Sequence, residues 1–185
     1  MLVGQPPIGA PMAGLVVAVV TVSDSRSLRD DHSGDAVCAA LQGAGHRVAH
    51  RAIVRDDAAA IATEVRQLRQ GGAVVAVVLT GGTGVTPRDV TPEAIRPLLS
   101  ADLPGFGELF RLLSYQQVGA AALLSRAFAG FSGPMLIIAL PGAPAAVELA
   151  LTHLVLPQIE SLVRLHAGTA VGHGPHHAAD GHHVH

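Results

Sequence analysis

The chain has 185 residues, the length of one domain with a sizeable core, and 49% of them are hydrophobic. A net charge of −2 and an aromatic content of 3% exclude a basic field for nucleic acid and a platform for stacked bases. All 12 basic residues are arginine and Cys38 is the one cysteine, which excludes lysine Schiff-base chemistry, a P-loop lysine and an internal disulfide.

The two ends of the chain differ in composition from the part between them. Residues 1–14 are rich in Pro and Gly and predict a flexible tail without the basic n-region of a secretory signal. Residues 167–185 are rich in His and Gly and predict a disordered tail. No apolar run reaches the roughly 20 residues of a membrane span. We therefore expect one domain over residues 15–166, no contact with a membrane and a cytoplasmic location.

Strands and helices are predicted to alternate in the first half of the chain. Val-rich apolar runs indicate buried strands at 15–22, 47–54 and 73–79. Amphipathic helices over 34–44 and 57–70 separate them. This order predicts parallel pairing with right-handed crossovers, and therefore an α/β fold.

The second half of the chain is less regular. Its pattern predicts one further buried strand, over 134–140, and four helices, at 92–101, 104–113, 114–128 and 144–166. Thr91 is the expected N-cap of the first of these helices, and Pro157 is expected to kink or restart the last.

The segment TGGTGVTPRDVTPEA at 80–94 follows the third strand directly and is the strongest local signal. Gly81, Gly82 and Gly84 permit backbone angles that a side chain forbids, and they let main-chain N–H groups approach a ligand. A strand, a glycine loop and a helix start, in this order, form the phosphate-binding arrangement of many α/β proteins. The alternative is a tight turn between strand and helix that binds nothing.

Polar or Pro/Gly-rich segments follow four of the predicted strands. In an open α/β sheet the carboxyl ends of the strands meet at one ligand-binding edge. The four segments are Ser23–Arg26, Asp56–Asp57, Gly81–Asp89 and Pro141–Gly142, and their convergence predicts a site. Away from them, Glu108 and Arg111 are spaced for an exposed ion pair on a helix.

Several candidate side chains have a structural alternative. Asp89 can bind Mg²⁺, accept a hydrogen bond from Arg88 or cap the helix that follows, and Asp57 is expected to be an N-cap. Ser33–Gly34 is either a helix cap or an anion contact. Ser125–Arg126 is either a hydroxyl donor beside a charge clamp or a solvated helix end. Cys38 lies on the apolar stripe of a predicted helix and is expected in the core.

Six segments, in their order along the chain, resemble the MoaB/Mog family of molybdenum-cofactor biosynthesis proteins. They are TVSDSR at 21–26, DHSG at 31–34, the glycine segment at 80–94, PGFGELFR at 104–111, LSRAFAG at 124–130 and LPG at 140–142. The resemblance implies a three-layer α/β/α sandwich with a mainly parallel central sheet, assembled as a homotrimer or homohexamer. It also implies that the protein binds molybdopterin and, with Mg²⁺ and ATP, adenylylates its terminal phosphate.

Transferred position by position, the resemblance assigns two groups of site residues. Asp56 and Asp89 are implied as catalytic residues and as ligands of Mg²⁺. Contacts with molybdopterin or the nucleotide are implied for Ser23, Asp24, Ser33, Gly34, Gly81, Gly82, Thr83, Gly84, Ser114, Ser125, Arg126, Pro141 and Gly142. Because lysine is absent, the phosphate-binding cation is expected to be Arg26, Arg88 or Arg126.

One position departs from the adenylyltransferases of the family. They carry an Asn two residues before the late Pro-Gly, and this chain has Ala139 there. A non-catalytic oligomer that binds or delivers the pterin is therefore the alternative function, although the intact Pro87–Asp89 segment favours activity. A metal-binding module formed by the His-rich tail is a third hypothesis.

Overall fold

The structure, a computed structural model, describes residues 14–171 and has an α/β architecture. Its strands are β1 Val16–Val22, β2 Arg47–Val54, β3 Ala76–Thr80, β4 Ala101–Asp102, β5 Phe128–Ser132 and β6 Met135–Leu140. Its α-helices are α1 His32–Gly43, α2 Ala58–Gly71, α3 Thr91–Ile95, α4 Pro104–Val118, α5 Pro144–Ala150 and α6 Leu156–Val171. Shorter 3₁₀ turns follow α3 and α4, and a π-helical turn over Leu151–Val155 joins α5 to α6.

The six strands form one sheet in the order β2-β1-β3-β6-β5-β4. The neighbouring strands β2, β1, β3 and β6 pair in parallel, whereas β5 pairs antiparallel with both β6 and β4. In register, Thr21 lies beside Thr80, and Thr80 lies beside Leu140. The carboxyl ends of the parallel strands therefore meet at one edge of the sheet, as predicted.

Helices cover both faces of the sheet and create two apolar cores. Along β6, Leu136, Ile138 and Leu140 face one core, while the alternate residues face the other. The first core is completed by α1, α4 and the α5–α6 helix, and the second by α2 and α3. This arrangement confirms the predicted three-layer α/β/α sandwich with a mainly parallel sheet.

The prediction of a helix over 114–128 is wrong. Helix α4 begins at Pro104 and runs to Val118, and Gly119 ends it with a φ of 61°. A 3₁₀ segment continues to Leu124, and β5 then occupies residues that the prediction assigned to helix or left unassigned. All five residues of β5 are buried, and pairing with β6 on one side and β4 on the other fixes them as a strand although an Ala/Leu run of high helical propensity precedes them.

Two other helices differ in detail from the prediction. Helix α3 ends at Ile95 and gives way to a 3₁₀ turn before the short strand β4, so the predicted helix over 92–101 is too long. The last helix does restart near Pro157, because the π-helical turn directly precedes α6. Helix α6 also extends to Val171, five residues beyond the predicted end.

The α5–α6 helix, over Pro144–Gly168, is the one segment among residues 14–171 with the length and apolar composition to cross a membrane. Its residues Val147, Leu151, Val155 and Ile159 are buried in the first core. Core helices of soluble proteins meet the same two criteria, so length and composition alone do not make it a membrane span. The predicted N-terminal tail up to residue 13, and the His-rich tail from residue 172, lie outside the described residues.

Candidate functional site

A cleft of about 460 Å³ lies at the carboxyl edge of the sheet. We call it the glycine cleft. It is bordered by the loops that follow β1, β3 and β6, and its lining includes Ser23, Ser25, Arg26, Gly81, Gly82, Thr83, Gly84, Asp89, Pro141 and Gly142. Three of the four predicted segments thus meet in one cavity, whereas Asp56 and Asp57 are not part of its lining.

The glycine loop turns sharply because two of its residues have positive φ angles, 107° at Gly81 and 64° at Gly82. A Cβ atom at Gly81 would lie 2.3 Å from the carbonyl oxygen of Val22. A Cβ atom at Gly82 would lie 2.4 Å from Oγ1 of Thr91 and 2.9 Å from Oδ1 of Asp56. Only glycine allows both the turn and this close approach, and the approach brings Asp56 to the edge of the cleft.

Thr91 anchors the glycine loop, and the prediction that it is an N-cap is wrong. The N-cap position of α3 is Val90, and no side chain caps this helix. The buried Thr91 hydroxyl instead donates to the Gly81 carbonyl oxygen at 2.9 Å, and the Thr91 N–H donates to the Gly82 carbonyl oxygen at 3.0 Å. These two bonds fix the loop against the start of α3.

Two buried polar atoms at this edge have no hydrogen-bond partner. They are Oδ1 of Asp56 and Oγ1 of Thr83, and only one other buried side-chain atom in residues 14–171 shares this state, Nε of Arg51. Thr83 is 2% exposed, so its hydroxyl has no ready access to bulk water. Buried polar groups are nearly always paired, and unpaired ones concentrated at a cleft indicate a site that a ligand completes.

Three carboxylates, from Asp24, Asp56 and Asp89, set the charge at the mouth of the cleft. Burial raises the pKa of Asp56, and the neighbouring charges of Asp24 and Asp89 raise it further. Hydrogen bonds from Arg88, at 2.8 Å, and from the Asp56 N–H lower the pKa of Asp24. For Asp89, burial opposes ionisation, but hydrogen bonds from the hydroxyl and N–H of Thr86 outweigh it and lower the pKa. Of the three, only Asp56 has a raised pKa, because the nearby charge of Arg88 does not outweigh burial and the repulsion from the two other carboxylates.

Asp57, which follows, has the structural role predicted for it. Its side chain accepts a 2.8 Å hydrogen bond from the Ala60 N–H and caps α2. The two adjacent aspartates thus differ completely in their surroundings.

A network of ion pairs around the buried Asp31 supports the wall of the cleft at Arg26. Asp31 is fully buried and is the N-cap of α1, accepting from the Gly34 N–H at 3.0 Å and from the Thr21 hydroxyl at 2.7 Å. Its carboxylate also lies 3.3 Å from Nη2 of Arg51 and 3.8 Å from Nη1 of Arg26. The sequence contained a signal for this cap, an Asp just before an apolar helical run, but did not indicate the arginine partners.

The two residues of the Ser33–Gly34 pair contact the protein rather than open solvent. The Ser33 hydroxyl is buried and donates to the Gly142 carbonyl oxygen at 2.8 Å, which ties α1 to the loop after β6. A Cβ atom at Gly34 would lie 2.0 Å from Oδ2 of Asp31. Gly34 therefore makes room for the Asp31 network, and neither residue is the cap itself.

Ser125 and Arg126 border a second cleft, of about 480 Å³, on the other side of the glycine loop. We call it the arginine cleft; its lining is Pro92, Glu93, Arg96, Pro97, Arg111, Ser125 and Arg126. Arg126 forms the boundary between the clefts. Its Nε and Nη2 atoms donate, both at 2.6 Å, to the carbonyl oxygens of Gly84 and Asp89, and its Nη1 pairs with Glu93.

Of the remaining candidates, Asp24 lies at the mouth of the glycine cleft, where it binds Arg88 and the Asp56 N–H. Ser114 does not reach either cleft: it is buried in the middle of α4 and lines neither cavity. Cys38 is buried in the first core, as predicted.

The carboxylates fit a magnesium ion bound together with phosphate. No group of three or more His, Cys, Asp or Glu side chains within residues 14–171 forms a ready metal cage. Mg²⁺ usually takes one or two carboxylates and completes its shell with water and substrate phosphates. The unpaired, buried Oδ1 atom of Asp56, with the charge of Asp89 nearby, supplies such a partial ligand set, and a cation there would offset the burial and repulsion that raise the Asp56 pKa.

Comparison with known proteins gives a consistent result. The family described as "Probable molybdopterin binding domain" matches residues 18–161. Molybdenum cofactor biosynthesis protein B of Bacillus subtilis is 44% identical over 147 residues, which cover 79% of this chain and 86% of the relative.

Solved structures agree with the sequence matches. A crystal structure of a molybdenum cofactor biosynthesis protein B has a TM-score of 0.82 and 38% identity, and the match covers 85% of this chain and 99% of that one. The tungsten cofactor synthesizing protein MoaB from Pyrococcus furiosus has a TM-score of 0.76 and 33% identity, with coverages of 84% and 98%.

Proposed function

The chain belongs to the molybdopterin-binding MoaB/Mog family of molybdenum cofactor biosynthesis, and from this premise we propose that it adenylylates the terminal phosphate of molybdopterin with ATP. The observation that carries the proposal is the pair of unpartnered buried atoms, Asp56 Oδ1 and Thr83 Oγ1, at a glycine loop shaped for phosphate. Both atoms gain partners when a phosphate and its cation bind.

The reaction makes one phosphorus–oxygen bond and breaks another. A terminal phosphate oxygen of molybdopterin attacks the α-phosphorus of ATP, the bond from that phosphorus to the oxygen bridging to the β-phosphate breaks, and pyrophosphate leaves. No covalent enzyme intermediate is needed, so the protein's work is alignment and neutralisation of charge.

The residues of the glycine cleft divide this work between them. The backbone N–H groups of Gly82 and Thr83 donate to phosphate oxygens, whereas the Gly81 N–H is held by the Leu140 carbonyl oxygen at 3.0 Å. The Thr83 hydroxyl adds a donor that has no competing protein acceptor. When Mg²⁺ is bound, Asp56 with Asp89 beside it would hold the ion, and the ion would neutralise phosphate charge.

Among the three candidate arginines, Arg26 has the surroundings of a phosphate ligand. It lines the glycine cleft, and its contacts with Ser33, Gly142 and Asp31 are all long, at 3.4, 3.4 and 3.8 Å. Arg126 is committed to short bonds that hold the glycine loop, and Arg88 is paired with Asp24 at 2.8 Å. We therefore propose that Arg26 contacts the phosphate. Arg126 holds the glycine loop in place, and Arg88 pairs with Asp24 at the mouth of the cleft.

We also propose that the protein is a homo-oligomer, because its surface carries an apolar ridge on α4 and the following 3₁₀ segment. The ridge consists of Leu112, Tyr115, Val118, Leu123 and Leu124, each more than half exposed. No charged residue occurs between positions 112 and 125. Soluble monomers rarely expose an apolar surface of this kind, and its lack of charge suits a second copy of the same surface.

The direct test of the reaction is incubation of the purified protein with molybdopterin, MgCl₂ and ATP labelled at the α-phosphate. We expect equimolar pyrophosphate and labelled pterin, and no pyrophosphate when the pterin is left out. Binding of the pterin without transfer of label would refute the catalytic proposal and leave the binding role.

That binding role is the second candidate function, and Ala139 favours it. Ala139 is fully buried in β6, in the second core beside Leu79 and Phe128, and offers no polar group to the cleft. An amide placed there would enter an apolar core and destabilise the fold. The activity of Ala139→Asn would therefore reflect the loss of stability as well as any effect of the amide on catalysis. The labelled-ATP experiment on the natural chain separates the two functions without this ambiguity.

A further inference from the structure

The arginine cleft contains positive charge that the chemistry assigned to the glycine cleft does not use. Arg96, Arg111 and Arg126 line it against a single acid, Glu93, in a chain whose net charge is −2. Arg126 pairs with Glu93 and holds two carbonyl oxygens. Arg96 pairs with Asp102 at 3.4 Å, so the uncompensated charge in this cleft belongs to Arg111.

Arg111 is the least committed of the three arginines. Among the ion pairs formed within residues 14–171, none involves Arg111, and the Glu108 pair expected from the spacing does not form. Its one hydrogen bond, from Nη1 to the Ala127 carbonyl oxygen, is long at 3.4 Å. A guanidinium of this kind, half-buried and without a carboxylate, is suited to an anion that it can bind through two N–H groups.

The backbone of α4 makes space for this position of Arg111. A Cβ atom at Gly107 would lie 3.0 Å from Nη1 and 3.1 Å from Nη2 of Arg111, and 2.7 Å from the Ala127 carbonyl oxygen. A side chain at Gly107 would therefore displace the guanidinium from its place beside β5. The glycine holds the cation over the cleft instead of letting it extend into solvent.

Two further groups face the same space as Arg111. The Ser125 hydroxyl oxygen accepts from the Ala127 N–H at 3.3 Å, which leaves the hydroxyl proton for another acceptor. Arg96 lies over the Phe128 ring, 4.6 Å from its centroid, and its Nη1 atom pairs with Asp102 at 3.4 Å, which leaves its other N–H groups available. The stacked ring holds the Arg96 stem while its N–H groups remain near the cleft.

We propose that the arginine cleft binds a phosphate monoester, with Arg111 as its principal ligand and with Ser125 and Arg96 as further donors. The role that this inference gives to the arginine cleft rests on the proposed adenylylation reaction. Transfer between two phosphorylated substrates requires two neighbouring anion sites. Arg126 connects the two clefts, because it lines the arginine cleft and binds the carbonyl oxygens of Gly84 and Asp89, which line the glycine cleft. The arginine cleft receives the phosphate of the pterin while the glycine cleft receives the nucleotide.

The test titrates ¹⁵N-labelled protein with phenyl phosphate, in the absence of ATP, and follows the amide signals. We expect saturable shifts at Ser125 and Ala127, and at least about tenfold weaker binding in Arg111→Gln, since a hydrogen-bonded charge contributes about 1.5–3 kcal/mol. Arg164→Gln is the matched control, because it removes the same charge from an exposed arginine on α6 and should bind as the natural chain does.

Two outcomes would overturn the inference: affinity of Arg111→Gln within twofold of the natural chain, or shifts confined to the glycine loop. A parallel titration with AMP monitors Gly82 and Thr83 and confirms that each variant is folded. Neither titration involves turnover. A protein that binds phenyl phosphate but transfers no label refutes only the proposed reaction, whereas label transfer with no effect of Arg111→Gln on binding refutes only this inference.

Discussion

Replacing Asp56 by Asn should stabilise the fold even though it removes a residue assigned to catalysis. The Asp56 Oδ1 atom is buried without a partner, and neighbouring carboxylates add repulsion to the cost of burial. Asn keeps an unpaired polar atom at this place but removes the charge. An unsatisfied buried charge costs more than the roughly 1–3 kcal/mol of a neutral group, and half-exposure of this side chain limits the gain from removing the charge to about 1 kcal/mol. For a chain of this size, that gain corresponds to a rise in Tm of about 2–4 °C.

The gain should depend on pH, with a sign fixed by the raised pKa of Asp56. A carboxyl group whose folded pKa lies above its unfolded value favours the native state only while it is protonated. That contribution is present below the unfolded pKa and is lost as pH rises through the folded pKa. Asp56→Asn should thus match the natural chain in acid and exceed it progressively as the pH rises.

Scanning calorimetry with EDTA across this pH range measures the effect. The matched control is Asp57→Asn, which removes the same charge one residue away and keeps a good N-cap for α2. Its Tm should stay within about 1 °C of the natural chain at neutral pH. A loss of stability in Asp56→Asn, or an equal gain in both variants, would refute the claim that the charge of Asp56 destabilises the fold.

Two further predictions concern the cleft wall and the assembly. Gly34→Ala places a Cβ atom 2.0 Å from Asp31 and should cost about 3 kcal/mol, with a fall in Tm of about 6–12 °C, because it disrupts a buried ion pair. Gly43→Ala in the same helix meets nothing within 4 Å and should be neutral or stabilising; equal losses would contradict the packing argument. Leu123→Asp, on the apolar ridge, should reduce the mass in light scattering to that of a monomer, whereas Leu165→Asp, equally apolar and 70% exposed on α6, should not. An unchanged mass for Leu123→Asp would remove the ridge as the interface.

The sequence predicted the parallel part of the sheet well because those strands are marked by composition. A strand buried on both faces is apolar along nearly its whole length, so β1, β3 and β6 appear as runs of apolar residues that only Thr21 and Thr80 interrupt or end. Strand β5 does not carry this mark. It is short, it follows an Ala/Leu-rich segment of high helical propensity, and its conformation is set by pairing with β6, a contact that no local pattern encodes.

For the candidate site, the sequence predicted the meeting place of the loops but not all of their roles. Strand order alone brings Ser23, Thr83 and Gly142 to one cleft. The different roles of the arginines depend instead on contacts between residues far apart in sequence, such as the hydrogen bonds from Arg126 to Gly84 and Asp89. Spacing also suggested an exposed partner for Arg111, and the structure turns that side chain towards Ala127.

The central claim is that the unpaired carboxylate at the glycine loop serves the chemistry of the cleft. The most direct measurement compares initial rates of pyrophosphate release by Asp56→Asn and Asp57→Asn with molybdopterin, Mg²⁺ and ATP, alongside pterin affinity by calorimetry. We expect the rate to fall by orders of magnitude in Asp56→Asn only, with pterin affinity little changed in both. Equal rates in the two variants would show that Asp56 has no part in the reaction.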